Sequence, residues 1–172
     1  MNVKQMSLWI LSIFLLILST LIFAFYKPTF LISLNDLIVG LLAGMISYYV
    51  GVKLRTKSKK QFIRIWGIFV ESVIIAPLPE EIIFRFALIS LTFNDIIVGI
   101  LISSLIWSLF HVISEFLSDL PIRYYRTKLG FFDNYLSGVI FSTIYVFTGF
   151  NLFTPWVAHA FHNFLIWKDI AS

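Results

Sequence analysis

The residues able to move a proton or steady a developing charge fall in a few short stretches of this sequence. In Pro77-Leu-Pro-Glu-Glu-Ile-Ile-Phe-Arg85, two adjacent carboxylates and a guanidinium interrupt an apolar run. His111 follows Trp107 by four residues and precedes Glu115 by four, and His159, His162 and Asn163 stand close together near the end. Glu71 stands ahead of the prolines. An ionisable side chain in hydrocarbon costs at least about 2.5 to 3.5 kcal/mol, so each of these groups must be compensated or serve a purpose. Together they supply an acid, a base and hydrogen-bond donors, the ingredients of a buried polar site.

Helical spacing assigns their partners. Glu81 and Arg85, four apart, share a face and can form a charge-assisted pair. Glu80, rotated by about 100° from Glu81 and about 140° from Arg85, is less committed to that pair and free to hold a water in a cavity. The same spacing puts His159 and Asn163 on one face, where an imidazole N–H and an amide could donate to one oxyanion. Glu115 either orients His111 or ends its helix as a solvated charge, and the solvated position is the expectation. Glu71 and His162 receive no role.

The elements that must carry these residues follow from composition. The chain of 172 residues is 59% hydrophobic and 13% charged, and its mean hydropathy is +0.93, the balance of an integral membrane protein rather than a soluble domain. Its 19 Phe and 5 Trp suit packing in lipid and at headgroup depth. The net charge of +4 comes from basic residues in short loops, so no nucleic-acid partner is expected. Without cysteine there is no disulfide, thiolate metal site or Cys nucleophile.

Hydropathy predicts one all-α transmembrane bundle over residues 1–172 with six spans: Ser7 to Tyr26, Leu31 to Val52, Ile65 to Phe93, Ile96 to Leu117, Phe132 to Phe150 and Phe153 to Trp167. The apolar part of the first is about 20 residues, long enough to span, so it reads as a retained helix rather than a signal peptide. With the loops around Lys53 to Arg64 and Arg123 to Lys128 in the cytoplasm, 11 of the 13 basic residues lie there, Lys27 lies outside and Arg85 within the membrane. Both termini are then cytoplasmic. The third span is longer than a crossing requires, and Pro77 and Pro79 remove two backbone donors from it, predicting a kink or break with a cavity beside Glu80. Counting from the loops puts Glu80 near mid-depth and His111 nearer the inner face, a gap that a tilted or broken helix must close.

Three motifs in order then give a resemblance. Glu80-Glu81-Ile-Ile-Phe-Arg85 resembles EExxxR, Trp107-Ser-Leu-Phe-His111 resembles FxxxH with Trp for Phe, and His159-Ala-Phe-His-Asn163 resembles HxxxN. This is the pattern of the CPBP intramembrane proteases, also called the Abi family, named for CAAX prenyl-protein and bacteriocin processing. The resemblance covers a catalytic region of roughly residues 76–165 and leaves the first two helices outside. It implies that Glu80 with His111 activates a water, that His159 with Asn163 stabilises the oxyanion, and that Glu81 and Arg85 support the site. Phe86, where many members have Gly, would narrow it.

The resulting expectation is an intramembrane endopeptidase, without a cofactor, that hydrolyses a peptide bond of a peptide or protein reached through the bilayer. The resemblance and compact length imply a bacterial plasma membrane. Two other readings of the same residues stay open. A zinc hydrolase would use Glu80, His111 and His159 as ligands, although HExxH is missing. A bacteriocin-immunity or scaffold protein would use the cluster for binding alone. Substrate identity and oligomeric state are not legible in the sequence.

Overall fold

The computed structural model describes residues 3–54, 70–92, 94–117 and 128–171, and every regular element among them is helical. The basic stretches 55–64 and 123–126, on which the expected orientation rests, lie outside the described residues, as does the start of the third span at Ile65. Helix α1 spans Val3–Tyr26 and α2 spans Leu34–Leu54. A composite third helix, α3, is π-helical over Val70–Ile75, α-helical over Pro77–Glu81 and π-helical again over Ile82–Thr92. Helices α4, Ile96–Leu117, α5, Lys128–Phe147, and α6, Phe153–Ala171, complete the bundle. The five uninterrupted helices contain 19 to 24 residues. At about 1.5 Å per residue each is about 30 Å long, the thickness of a bilayer core. Among the described residues, Leu34–Val52 and Ile96–Leu117 are long and apolar enough to cross a membrane by length and composition.

The bundle turns many large apolar side chains outward and buries small hydroxyl side chains beside an apolar core that includes Phe84, Trp107, Phe141 and Leu152. Phe14, Ile17, Leu42, Ile46, Leu101 and Leu105 are exposed, whereas Ser47, Ser103, Ser104, Ser137, Ser142 and Thr154 are buried. Small hydroxyl side chains let helices approach closely and bond across the contact, and lipid imposes no penalty on the larger apolar side chains that face outward. Ser103 and Ser104 of α4 both reach Ser142 of α5, at 3.3 and 3.4 Å.

At Pro77 and Pro79 the chain does not break. Ala76 and Ile82 keep right-handed helical dihedrals, and the hydrogen-bond register changes instead. Pro77 begins the short α-helical segment, where its missing N–H would have no partner in that segment. Pro79 has no N–H to offer Ile74 or Ile75, and the carbonyl of Ile74 accepts the indole N–H of Trp156 from α6 at 3.2 Å. Backbone polarity exposed by the prolines is thus met by a neighbouring helix. Wide π-helical turns are uncommon and concentrate at functional sites. Here they flank Glu80 and Glu81 on both sides.

Helix α6 is held to its height by α2, which runs parallel to it. Ser33 caps α2 through the N–H of Asp36 at 3.0 Å, and Asp36 in turn accepts from Thr154 at the start of α6, 3.1 Å. One turn and two turns further, Gly40 and Gly44 form a small-xxx-small face. A Cβ at Gly40 would lie 2.8 Å from the carbonyl oxygen of Thr154, and one at Gly44 only 2.5 Å from that of Ala158. Ser47 then meets His162 at 2.9 Å and donates to Ser137 of α5 at 2.8 Å. The first two helices lie outside the motif-bearing region, yet α2 fixes the register of the helix that carries His159.

Gly44→Ala therefore drives a methyl group into the backbone next to His159. It should lower thermal stability in detergent by about 1 to 3 kcal/mol, the usual cost of overpacking. Leu42→Ala, on the exposed face of the same helix, should change it by less than about 0.5 kcal/mol.

Candidate active site

Glu80 and Glu81 leave α3 in different directions, as their spacing requires. Glu81 is fully buried, and its two oxygens take different partners: Oε2 lies 3.1 Å from Nε of Arg85, and Oε1 accepts from Nδ1 of His159 at 2.8 Å. Arg85 is also fully buried. Its Nε–H is not aligned for a hydrogen bond, so the contact with Glu81 is an ion pair. Its terminal nitrogens have no hydrogen-bond partner among the described residues. The guanidinium rests on aromatic faces instead, with Cζ 4.7 Å from the ring centre of Trp107 and 5.7 Å from that of Phe141. The expected pair of Glu81 and Arg85 is present, and it extends to a third member, His159, on another helix.

Glu80 faces α4 and is 14% exposed. Its Oε2 accepts the indole N–H of Trp107 at 2.7 Å. The same oxygen lies 3.8 Å from Nε2 of His111 and 4.0 Å from Nε2 of His159. The composite α3 thus closes the depth gap that sequence counting left between Glu80 and His111.

Hydrogen bonds on the far side of each ring set the tautomers. Nδ1 of His111 lies 3.0 Å from the carbonyl oxygen of Trp107, which can only accept, so the proton of a neutral ring sits on Nδ1. Nδ1 of His159 faces the Glu81 carboxylate and carries a proton for the same reason. In the neutral rings both Nε2 atoms present lone pairs towards Oε2 of Glu80. Three acceptors converging this closely call for something that brings protons or positive charge: a water, a protonated imidazole, or a cation. Among the described residues, no three His, Cys, Asp or Glu side chains form a group able to hold a metal ion.

The remaining candidates are placed as follows. Asn163 lies one turn beyond His159 on α6 and is half-buried. His162 is buried and meets Ser47 of α2, so it ties α6 to α2. Glu115 is buried at 7% exposure, against the expectation of a solvated charge. It lies on the face of α4 that carries Ser108, which donates to the carbonyl of Phe131 on α5 at 2.8 Å, and that face is packed. Glu71 falls in the first π-helical stretch. Phe86 lines a groove with Thr29, Ile89, Ser90, Ile96 and Phe150 further along α3. Sequence reasoning missed two features: the link from Glu81 to His159, and the hydrogen bond from Trp107 to Glu80. Spacing within one helix carries no signal for the first. The second was open to notice, because an indole has an N–H that the phenyl ring of the motif lacks.

A helical protein with lipid-compatible outer faces and a buried Glu/His centre fits one class already met in the sequence motifs. The family model for type II CAAX prenyl endopeptidase Rce1-like proteins matches residues 62–165, more than half of the chain and all three motifs. The chain belongs to this family, a family of membrane-embedded proteases, as the motif resemblance implied. No curated protein and no solved structure matches it significantly.

The shared carboxylate of Glu81 predicts a pattern of stability changes. Glu81→Gln keeps an acceptor for His159 but leaves Arg85 as an unbalanced buried charge, at a cost of about 3 to 5 kcal/mol. Adding Arg85→Met removes that charge and should restore part of the loss in a detergent melt. Equal melting temperatures for the single and double variants would contradict the pairing.

Proposed function

We propose that the protein is an intramembrane endopeptidase in which Glu80 activates a water for direct attack on a peptide bond, with no covalent intermediate. The observation that carries this reading is the convergence of Oε2 of Glu80 with Nε2 of His111 and Nε2 of His159 within 4.0 Å. A water held between Glu80 and His111 has acceptors for both protons. As its oxygen attacks the carbonyl carbon, one proton passes to Glu80. The oxyanion is met by the Asn163 amide and by His159, which donates from Nε2 only when that nitrogen carries a proton as well as Nδ1, a charge that Glu81 would balance. Collapse breaks the C–N bond, and Glu80 returns its proton to the leaving amine. Membership in a protease family supports hydrolysis as the reaction class.

Glu80→Gln keeps the volume and the acceptor for Trp107 but removes the base. Purified variant protein should be folded, melt near the wild-type temperature and cleave no member of a peptide library that the wild type cleaves. A bacteriocin-immunity or scaffold protein would show no cleavage by either form. The reading uses no metal, so turnover should survive stringent chelation. Stoichiometric zinc, with activity lost on chelation and restored by zinc, would instead make Glu80, His111 and His159 ligands.

The same reading places six spans in the membrane, a bacterial plasma membrane, with both termini in the cytoplasm. The peptide or protein substrate then enters through the bilayer. Tags at either end, and a probe between Lys53 and Lys60, should report cytoplasm. A C-terminus open to external protease would overturn this orientation.

A further inference from the structure

Trp107 occupies the motif position at which the family resemblance expects Phe, and the exchange adds a hydrogen-bond donor. We propose that Trp107 is a positioning residue for the water-activating carboxylate, holding Oε2 of Glu80 at the focus of the two imidazoles. This rests on the reading of Glu80 as the base. Residue 107 controls both halves of the water-binding pair. Its indole N–H donates to Glu80 at 2.7 Å, and its carbonyl accepts from Nδ1 of His111 at 3.0 Å. The indole itself cannot drift. It is 2% exposed and meets the rings of His111 and His159 edge to face, with centroids 4.6 and 5.3 Å away, while the Arg85 guanidinium covers it at 4.7 Å.

The opposite side is closed by α5, where a glycine makes the larger ring possible. A Cβ on Gly138 would stand 2.9 Å from Cε3 of Trp107. Phenylalanine at 107 would preserve an aromatic neighbour for His111 and Arg85 but leave Glu80 without this donor. The carboxylate could then turn about its own side-chain torsions, and small misplacements of a reacting group carry large rate penalties.

Two variants separate hydrogen bonding from packing. Trp107→Phe keeps an apolar ring without a donor, whereas Trp107→Gln has a donor on a side chain that fills the space less well. Peptide cleavage per folded molecule should fall about 10- to 100-fold in kcat for Trp107→Phe, with KM changed by less than about twofold. Trp107→Gln should retain more kcat than Trp107→Phe despite a lower melting temperature. A packing role predicts the reverse order, and that order, or wild-type kcat in Trp107→Phe, overturns the proposal.

A second measurement does not depend on turnover or on either variant being active. In protein labelled with 15N-tryptophan, the Trp107 indole N–H resonance, identified by its loss in Trp107→Phe, should move in Glu80→Ala while the other four indole resonances hold still. A Trp107 resonance that stays in place shows that the bond is absent and overturns the proposal. Movement in a wild type that cleaves no peptide supports the bond and counts against the hydrolytic reading instead.

Discussion

The buried guanidinium of Arg85 is the constraint on which the rest of the site depends. A cation enclosed in a low-dielectric bundle demands a counter-charge, and Glu81, one turn back on α3, supplies it at 3.1 Å. That carboxylate has a second oxygen, and His159 takes it. One compensation within a helix thus becomes a tie between two helices, and it fixes which nitrogen of His159 carries a proton. Trp107, pressed beneath the same guanidinium, is held where its indole N–H reaches Glu80. The charge that is hardest to bury therefore organises the carboxylate, the imidazole and the indole around it.

The helices make this possible through unusual backbone arrangements. Alternation between π- and α-helical segments in α3 widens the turns around the prolines without interrupting the chain, and Trp156 meets a carbonyl that Pro79 leaves without its donor. Parallel packing of α2 on α6, with Gly44 against Ala158, fixes the height of His159 opposite Glu81. At one end of the bundle, the Asn151 side chain holds the backbone N–H and C=O of Leu31 at 2.9 and 2.8 Å, so the α1–α2 connection is fastened to the turn before α6. That turn is possible because α5 ends in a Schellman motif with Gly149 at φ 69°. Helices outside the motif region are thus part of the support for the site.

Much of this was legible in the sequence for a physical reason: ionisable residues are so costly in an apolar chain that their presence marks the site. Glu80, Glu81, Arg85, His111 and His159 could all be picked out in this way, and helical spacing separated the directions of Glu80 and Glu81. Spacing speaks only within a helix, however. It gave Arg85 to Glu81 but could not supply His159, which is 78 residues away in the chain. For Glu115, four residues after His111, the expected solvated position at the helix end is not the one it takes. It is buried on the face of α4 that carries Ser108, which is a property of packing and not of the local pattern. The prolines were read through their missing donors, correctly as a disturbance but not as a change of helical register, because a neighbouring helix provides the compensation.

The central claim is that side chains of α3 and α4 meet at one polar centre, and it can be tested in native membranes because the chain has no cysteine. Glu80→Cys and His111→Cys in one molecule should be joined by a short thiol-to-thiol reagent and recovered as a single cross-linked peptide pair by mass spectrometry. Ser47→Cys with Ser137→Cys, whose hydroxyls lie 2.8 Å apart, provides the positive control. The account predicts joining in both pairs. Joining of the control pair, with residues 80 and 111 each carrying the reagent but never bridged, would contradict it.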